Sequence, residues 1–189
     1  MRGTLYIVSG PAGVGKGTIL SLALKRLPDM AYSVSCTTRL PRPGIDVEGE
    51  TYYFLTEEEF KRRAEADEFL EYADVHGHRY GTLREIVEKS LAAGKDILLE
   101  IDVQGALNVK KKMPEAVTVF IKPPSIPELI SRLSKRGSES EAEQKLRIEN
   151  AAEEISHAEE YDRIIVNDIA ADAAEKFIKI VLTHREEQQ

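Results

Sequence analysis

The stretch GPAGVGKGT, residues 10–18, gathers four glycines, a lysine and a hydroxyl into nine positions. Glycines admit positive φ and let backbone N–H groups face an anion, and a lysine at this spacing reaches terminal phosphates. The phosphate-loop pattern G-x-x-x-x-G-K-[ST] is met at Gly10, Gly15 and Lys16. It breaks at the last position, where Gly17 stands and the hydroxyl is delayed to Thr18. The apolar run TLYIVSG before it and a helical pattern after it supply the strand, loop and helix that such a cradle needs. Gly10, Pro11, Ala12, Gly13, Val14, Gly15, Lys16, Gly17 and Thr18 are therefore expected to hold nucleotide phosphates; the competing reading is a tight glycine turn with no ligand. In many phosphate loops the residue after the lysine ligates Mg2+, which Gly17 cannot do. A metal ion would then rely on water, the nucleotide or a carboxylate elsewhere.

Two other groups of residues suggest chemistry. SVSCTTRLPR, residues 33–42, carries Arg39 and Arg42, whose guanidinium forks match the oxygens of a phosphate monoester, although an isolated R-x-P-R also suits a solvated basic loop. Glu100 and Asp102 end the apolar run DILLEID two residues apart, which on a strand turns both to one face. Like carboxylates there are costly unless a cation or donors receive them.

These groups must be positioned by a framework, and the framework is legible as alternation. TLYIVSG, AYSVSC, KDILLEID, TVFIKPP and DRIIVND read as strands interleaved with helical segments, the first helix over about residues 15–27, which implies a mostly parallel sheet covered on both faces. Thr56 with Glu59, Thr82 with Glu85, Ser125 with Glu128 and Ser140 with Glu143 have capping-box spacing, and Gly94 is a stop for the third helix. Residues 37 to about 82 interrupt the rhythm with turn formers, basic residues and aromatics, then FLEYADVHGHRYGT as small antiparallel strands, and read as a lobe inserted into the core. RGSESEAEQ, residues 136–144, has no core residue and is a second candidate for mobility.

At 189 residues the chain suits one domain. No run approaches the roughly 20 apolar residues of a membrane span, and MRGTLYIVSG lacks the features of a secretory signal, so a cytoplasmic protein with no membrane partner is expected. The single cysteine, Cys36, excludes an internal disulfide and reads as a small buried hydrophobe. A net charge of −7 opposes broad attraction to polyanions and argues for a focused small-molecule site instead of a nucleic-acid surface.

The chain resembles the guanylate kinase family. The matching blocks are GPAGVGKGT, SVSCTTRLPR, GETYYF, EFLEYADVHGHRYGT, ILLEIDVQG, RLSKRG and IIVND, in family order over essentially the whole length. The resemblance implies an α/β P-loop kinase fold. A mostly parallel five-stranded core sheet flanked by helices occupies about 1–36 and 83–189, with an inserted GMP-binding lobe at about 37–82 and a short lid at about 136–147. It implies that Ser35, Arg39, Arg42, Tyr52 and Tyr80 hold the acceptor nucleotide, that Glu71 reads the base and that Thr82 reaches guanine O6, although Thr82 is also an N-cap candidate. A carboxylate can accept guanine's N1–H and N2–H together, whereas adenine has no donor at N1. By the same resemblance Asp102 lies near the guanine amino group and Glu100 near the waters of Mg2+. Arg132, Arg136 and Arg147 are lid arginines over the donor phosphates, and Asn167 lies near the donor adenine. Arg132 and Arg136 are also spaced for surface ion pairs on a helix. The loop between Gly44 and Tyr52 is one residue longer than the family's, and Ile45 stands where the family usually has Glu.

The activity implied is transfer of the γ-phosphoryl group of ATP to GMP, with dGMP as a further acceptor, in the presence of Mg2+. Lys16, Arg39 and the lid arginines would neutralise and orient the reacting groups, and lobe and lid would close to exclude water. The alternatives are a kinase of the same fold acting on another phosphorylated acceptor, and a non-catalytic protein-binding module.

Overall fold

A computed structural model describes residues 2–75, 77–134 and 141–188, with 75, 134 and 141–147 described through their backbone alone. In chain order the elements are β1 (Leu5–Ser9), α1 (Lys16–Leu24), β2 (Ala31–Tyr32), β3 (Cys36–Thr37), β4 (Tyr53–Phe54), α2 (Glu57–Glu65), β5 (Phe69–Val75) and β6 (His78–Leu83). There follow α3 (Arg84–Ala92), β7 (Ile97–Glu100), α4 (Val103–Lys112), β8 (Val117–Lys122), α5 (Ile126–Ser134), α6 (Glu141–Ser156), a 3-10 turn at Ala158–Glu160, β9 (Arg163–Val166) and α7 (Ala170–Glu187).

One sheet has the order β2-β7-β1-β8-β9, and β2 pairs β7, and β8 pairs β9, in parallel. All five residues of β1, LYIVS, are buried, as a central strand covered on both faces requires. The chain leaves β1 for β2 on one side and later reaches β8 on the other, so the carboxyl end of β1 is a topological switch point, where open α/β sheets bind ligands. The glycine loop begins there. A second sheet, β4-β3-β6-β5, has antiparallel β3–β6 and β5–β6 pairs and a parallel β3–β4 pair.

The chain groups into two compact units. One comprises residues 1–6, 31–99 and 104–116; the other comprises 7–30, 100–103 and 117–189. In the first, Cys36, Phe60 and Phe69 form a buried cluster beneath the second sheet, with the Phe60 and Phe69 rings stacked at 4.5 Å. In the second, α7 buries Ala173, Ala174, Phe177, Ile178 and Val181, a stripe at helical spacing that packs on α1. Burying Phe177 alone is worth about 1.5–3 kcal/mol of transfer free energy.

Several local expectations meet their structural counterparts. Thr56 Oγ1 accepts from Glu59 N at 3.1 Å, Ser125 Oγ accepts from Glu128 N at 3.3 Å, and Gly94 follows α3 with φ 75°. The Ser140 cap lies outside the described residues. Others are corrected. AYSVSC is not one strand, because Ala31–Tyr32 and Cys36–Thr37 belong to different sheets. The first helix ends at Leu24 and not near residue 27; Pro28 disfavours helical geometry at Leu27 before it. Thr82 does not cap α3. That helix starts at Arg84 with Leu83 as an N-cap that makes no side-chain bond, and Thr82 belongs to β6.

Candidate active site

The glycine loop lies in the second unit. Gly15 is the N-cap of α1 in the left-handed region, φ 97°, ψ 23°, and a Cβ there would sit 2.7 Å from Asn167 Nδ2. A larger residue would need both a disfavoured backbone and a displaced neighbour. Lys16 Nζ donates to the Gly10 carbonyl at 2.5 Å and the Pro11 carbonyl at 3.3 Å, so the ammonium lies over its own loop. Burial lowers the Lys16 pKa from its ordinary value, while the charges of Glu100, Glu154 and Asp102 pull the other way.

Those carboxylates arrive by different routes. β7 ends at Glu100, so Asp102 lies beyond the strand and the shared-face argument does not apply to it. The segment is held by Ile101 N donating to Val8 O at 3.2 Å and Ser9 Oγ donating to Ile101 O at 2.9 Å. Glu154 comes from α6, and the Ala12 backbone N–H donates to it; burial pushes its carboxyl above the ordinary range, with Lys16 opposing. Sequence reasoning missed Glu154, which is one acid among several in an acidic helix and has no motif of its own. Among the described residues no cluster of His, Cys, Asp or Glu forms a cage for a metal ion. Carboxylates beside the loop, with no hydroxyl at Gly17, suit Mg2+ that arrives on a nucleotide and keeps most of its waters.

Asn167 joins two parts of this region. Its Nδ2 donates to Val14 O at 2.6 Å, and its own carbonyl accepts from Arg132 Nη1 at 3.2 Å. Asn167 is 3 % exposed, and its Oδ1 has no hydrogen-bond partner among the described residues. Arg132 also donates from Nε to Glu128 at 2.9 Å, the helical ion pair its spacing allows. Arg136 lies outside the described residues, as does the Arg147 side chain.

The first unit holds the other group. Arg39 Cζ stands 5.3 Å from the Tyr52 ring centre and 5.8 Å from that of Phe54, and the Tyr52 and Tyr80 rings meet edge to face at 5.8 Å. Arg39 and Arg42 converge on Asp46, with Arg39 Nη1 and Arg42 Nη2 each 2.9 Å from a carboxylate oxygen. These hydrogen bonds, Arg42's first, hold the Asp46 carboxyl well below the usual range. Asp46 was not singled out from the sequence, although the extra residue in the loop and the missing acid at Ile45 were the available signals. On the adjoining strands Glu71 lies opposite Thr82 and accepts from its Oγ1 at 2.7 Å, and Glu71 is 6 % exposed. Tyr80 and Thr82 are two apart on β6, hence on one face. Ser35 precedes β3, and its carbonyl accepts from Tyr53 N at 2.9 Å. The structure thus brings Arg39, Arg42, Tyr52 and Tyr80 together, and Glu71 with Thr82, within one small sheet and its flanking loop.

Comparison with known proteins decides the family. The sequence profile described as guanylate kinase matches residues 2–184. The chain belongs to the guanylate kinase family. The guanylate kinase of Thermotoga maritima is 49 % identical over 185 residues, 98 % of this chain and 89 % of that protein. That of Caldanaerobacter subterraneus subsp. tengcongensis is 47 % identical over 97 % of this chain and 89 % of its own length. Among solved structures, the crystal structure of guanylate kinase from Anaplasma phagocytophilum covers 97 % of this chain and 86 % of that one, with 35 % identity and a TM-score of 0.77. The five-stranded sheet flanked by helices is the P-loop kinase fold that guanylate kinase membership implies.

Proposed function

We propose that this chain transfers the γ-phosphoryl group of ATP to GMP, giving ADP and GDP. The observation that carries the proposal is the pairing of an arginine and tyrosine group with a buried carboxylate, Glu71, in one sheet of a guanylate kinase family chain. A monophosphate suits the first, and the adjacent N1–H and N2–H donors of guanine suit the second.

The mechanism is one of positioning and charge neutralisation. The acceptor phosphate has a second pKa of about 6, so near neutrality it is already an anionic nucleophile and needs no general base. Arg39 and Arg42 grip that phosphate, with the hydroxyls of Tyr52 and Tyr80 and Ser35 completing its surroundings. Glu71 and Thr82 are the residues we assign to the base, and Asp102 is the one we assign to its amino group. In the loop, backbone N–H groups and Lys16 hold the donor phosphates, Thr18 contacts a phosphate, and the buried Asn167 Oδ1 is suited to accept from the adenine amino group. Arg132, Arg136 and Arg147 neutralise charge on the transferring group. Glu100 would hold nucleotide-bound Mg2+ through its waters, and the ion would supply further charge neutralisation for the transferring phosphoryl group. The cytoplasm, where ATP, GMP and a reduced Cys36 coexist, is the compartment this reading assigns.

The test is an acceptor survey with ATP as donor, comparing GMP, dGMP, AMP, UMP and CMP by nucleoside diphosphate formation. GDP from GMP is the expected product, with dGMP as a weaker or equal acceptor. Preference for a pyrimidine nucleotide or AMP, or no GDP at all, overturns the proposal.

A further inference from the structure

We infer that Asp46 is a positioning residue for acceptor binding, holding Arg39 and Arg42 in the arrangement that receives the GMP phosphate. The inference rests on the reading that these arginines bind that phosphate, and goes beyond it by naming what sets their geometry.

Asp46 has no exposed side-chain surface, although it lies on a loop whose neighbours are exposed. Its Oδ2 accepts from the Arg42 backbone N–H at 2.7 Å and from Arg42 Nε at 3.1 Å, and its Oδ1 accepts from Arg42 Nη2 at 2.9 Å. Arg39 Nη1 reaches Oδ2 at 2.9 Å. The N–H groups of Ile45 and Asp46 both donate to the Arg42 carbonyl at 3.1 Å, so a closed turn fixes the carboxylate against the residue it orients. The Arg42 side chain is 58 % exposed. Without such a partner, a long side chain that exposed would sample many rotamers, and two guanidinium groups this close would repel.

Two arrangements could follow when a phosphate arrives. The carboxylate could be a competitor that must leave, or a fixed support that stays. The geometry favours the support. Asp46 is covered, has a backbone N–H among its partners, and engages Nε and Nη2 of Arg42 and Nη1 of Arg39, whereas each guanidinium carries five N–H donors. The Nε and Nη2 donors of Arg39 and the Nη1 donors of Arg42 are not those that Asp46 engages. The two guanidinium charges exceed the single carboxylate charge by one, which leaves the cluster cationic toward a dianion.

The experiment compares Asp46→Asn and Asp46→Glu with the unaltered chain, measuring KM for GMP, KM for ATP, kcat, and competitive inhibition by guanosine, which has base and ribose but no phosphate. Arg42→Ala is measured beside them. Asp46→Asn is expected to raise the GMP KM roughly tenfold or more, because losing the carboxylate charge leaves the two cations uncompensated and their guanidinium groups without the partner that orients them. The ATP KM, kcat and guanosine inhibition should stay within about twofold, the pattern of lost binding confined to one group. Asp46→Glu should recover part of the loss. A GMP KM that is unchanged or lowered in Asp46→Asn overturns the inference, the lowered value being that of a competitor. Equal weakening of guanosine and GMP also overturns it, as general damage to the lobe. If Arg42→Ala leaves the GMP KM unchanged, the arginine reading itself fails; if Arg42→Ala raises it and Asp46→Asn does not, only the role of Asp46 fails.

Discussion

Glu71 shows what a residue type and its surroundings decide together. A carboxylate with 6 % exposure needs donors, and Thr82 supplies one at 2.7 Å. Guanine supplies the kind of paired donors that a second oxygen can take. Glu71→Gln keeps the shape but replaces one oxygen with a donor, which would face another donor on the base. An unmatched buried polar group costs about 1–3 kcal/mol, so the GMP KM should rise roughly 5- to 150-fold. The ATP KM should be unchanged; steady-state kinetics at saturating ATP measure both, and an unaltered GMP KM removes Glu71 from base reading. The sequence made this residue visible only through the family resemblance. It could not show that Thr82 turns its hydroxyl to Glu71 in place of capping α3, because a Thr with Glu three residues later satisfies both local patterns.

At the scale of elements, the join of β1 to α1 contrasts two glycines in the same loop. Gly15 is left-handed and close to Asn167, whereas a Cβ on Gly17 would meet nothing within 4 Å. Gly15→Ala should therefore cost roughly 1–2 kcal/mol from its backbone conformation, and more from the clash, and weaken ATP binding in proportion to the distorted loop. Gly17→Ala, inside the helix, should gain up to about 1 kcal/mol and raise Tm by roughly 2–4 °C. It should retain kinase activity, since the metal reading gives Gly17 no ligand role. Thermal denaturation and ATP titration of the two variants check both halves, and weakened ATP binding in Gly17→Ala would mean that the space open beside Gly17 is taken up by the bound nucleotide. Alternation of apolar runs made the strands of the larger sheet legible, because burial on both faces leaves a continuous apolar segment. The break within AYSVSC was not legible, since two-residue strands in different sheets have no period to read.

For the molecule as a whole, charge and proton binding tie local chemistry to stability. A net charge of −7 coexists with a local excess of positive charge because Arg39 and Arg42 are concentrated around one loop, a feature visible in the spacing of RLPR. The acids that answer the cations, Asp46 and Glu154, were not visible, because each meets its partner only after folding. Cys36 carries the same coupling into folding. Burial in the Phe60 and Phe69 cluster pushes its thiol from 9.0 to about 11. Below pH 9 both folded and unfolded chains keep the proton, and this group contributes no pH dependence. Between pH 9 and about 11 the unfolded chain loses the proton while the folded one retains it, so stability must fall as pH rises through that window. Tyr161, pushed up to about 12 by burial, adds a similar decline at higher pH. Urea denaturation at intervals from pH 7 to 11 should give a steeper alkaline loss for the unaltered chain than for Cys36→Ala, in which the Tyr161 contribution remains. The two profiles should run parallel below pH 8.5, offset by the small change in core packing, since the thiol is protonated in both states there. Parallel profiles all the way to pH 11 would mean that the Cys36 thiol titrates as if in water, and would remove it from the buried cluster with Phe60 and Phe69.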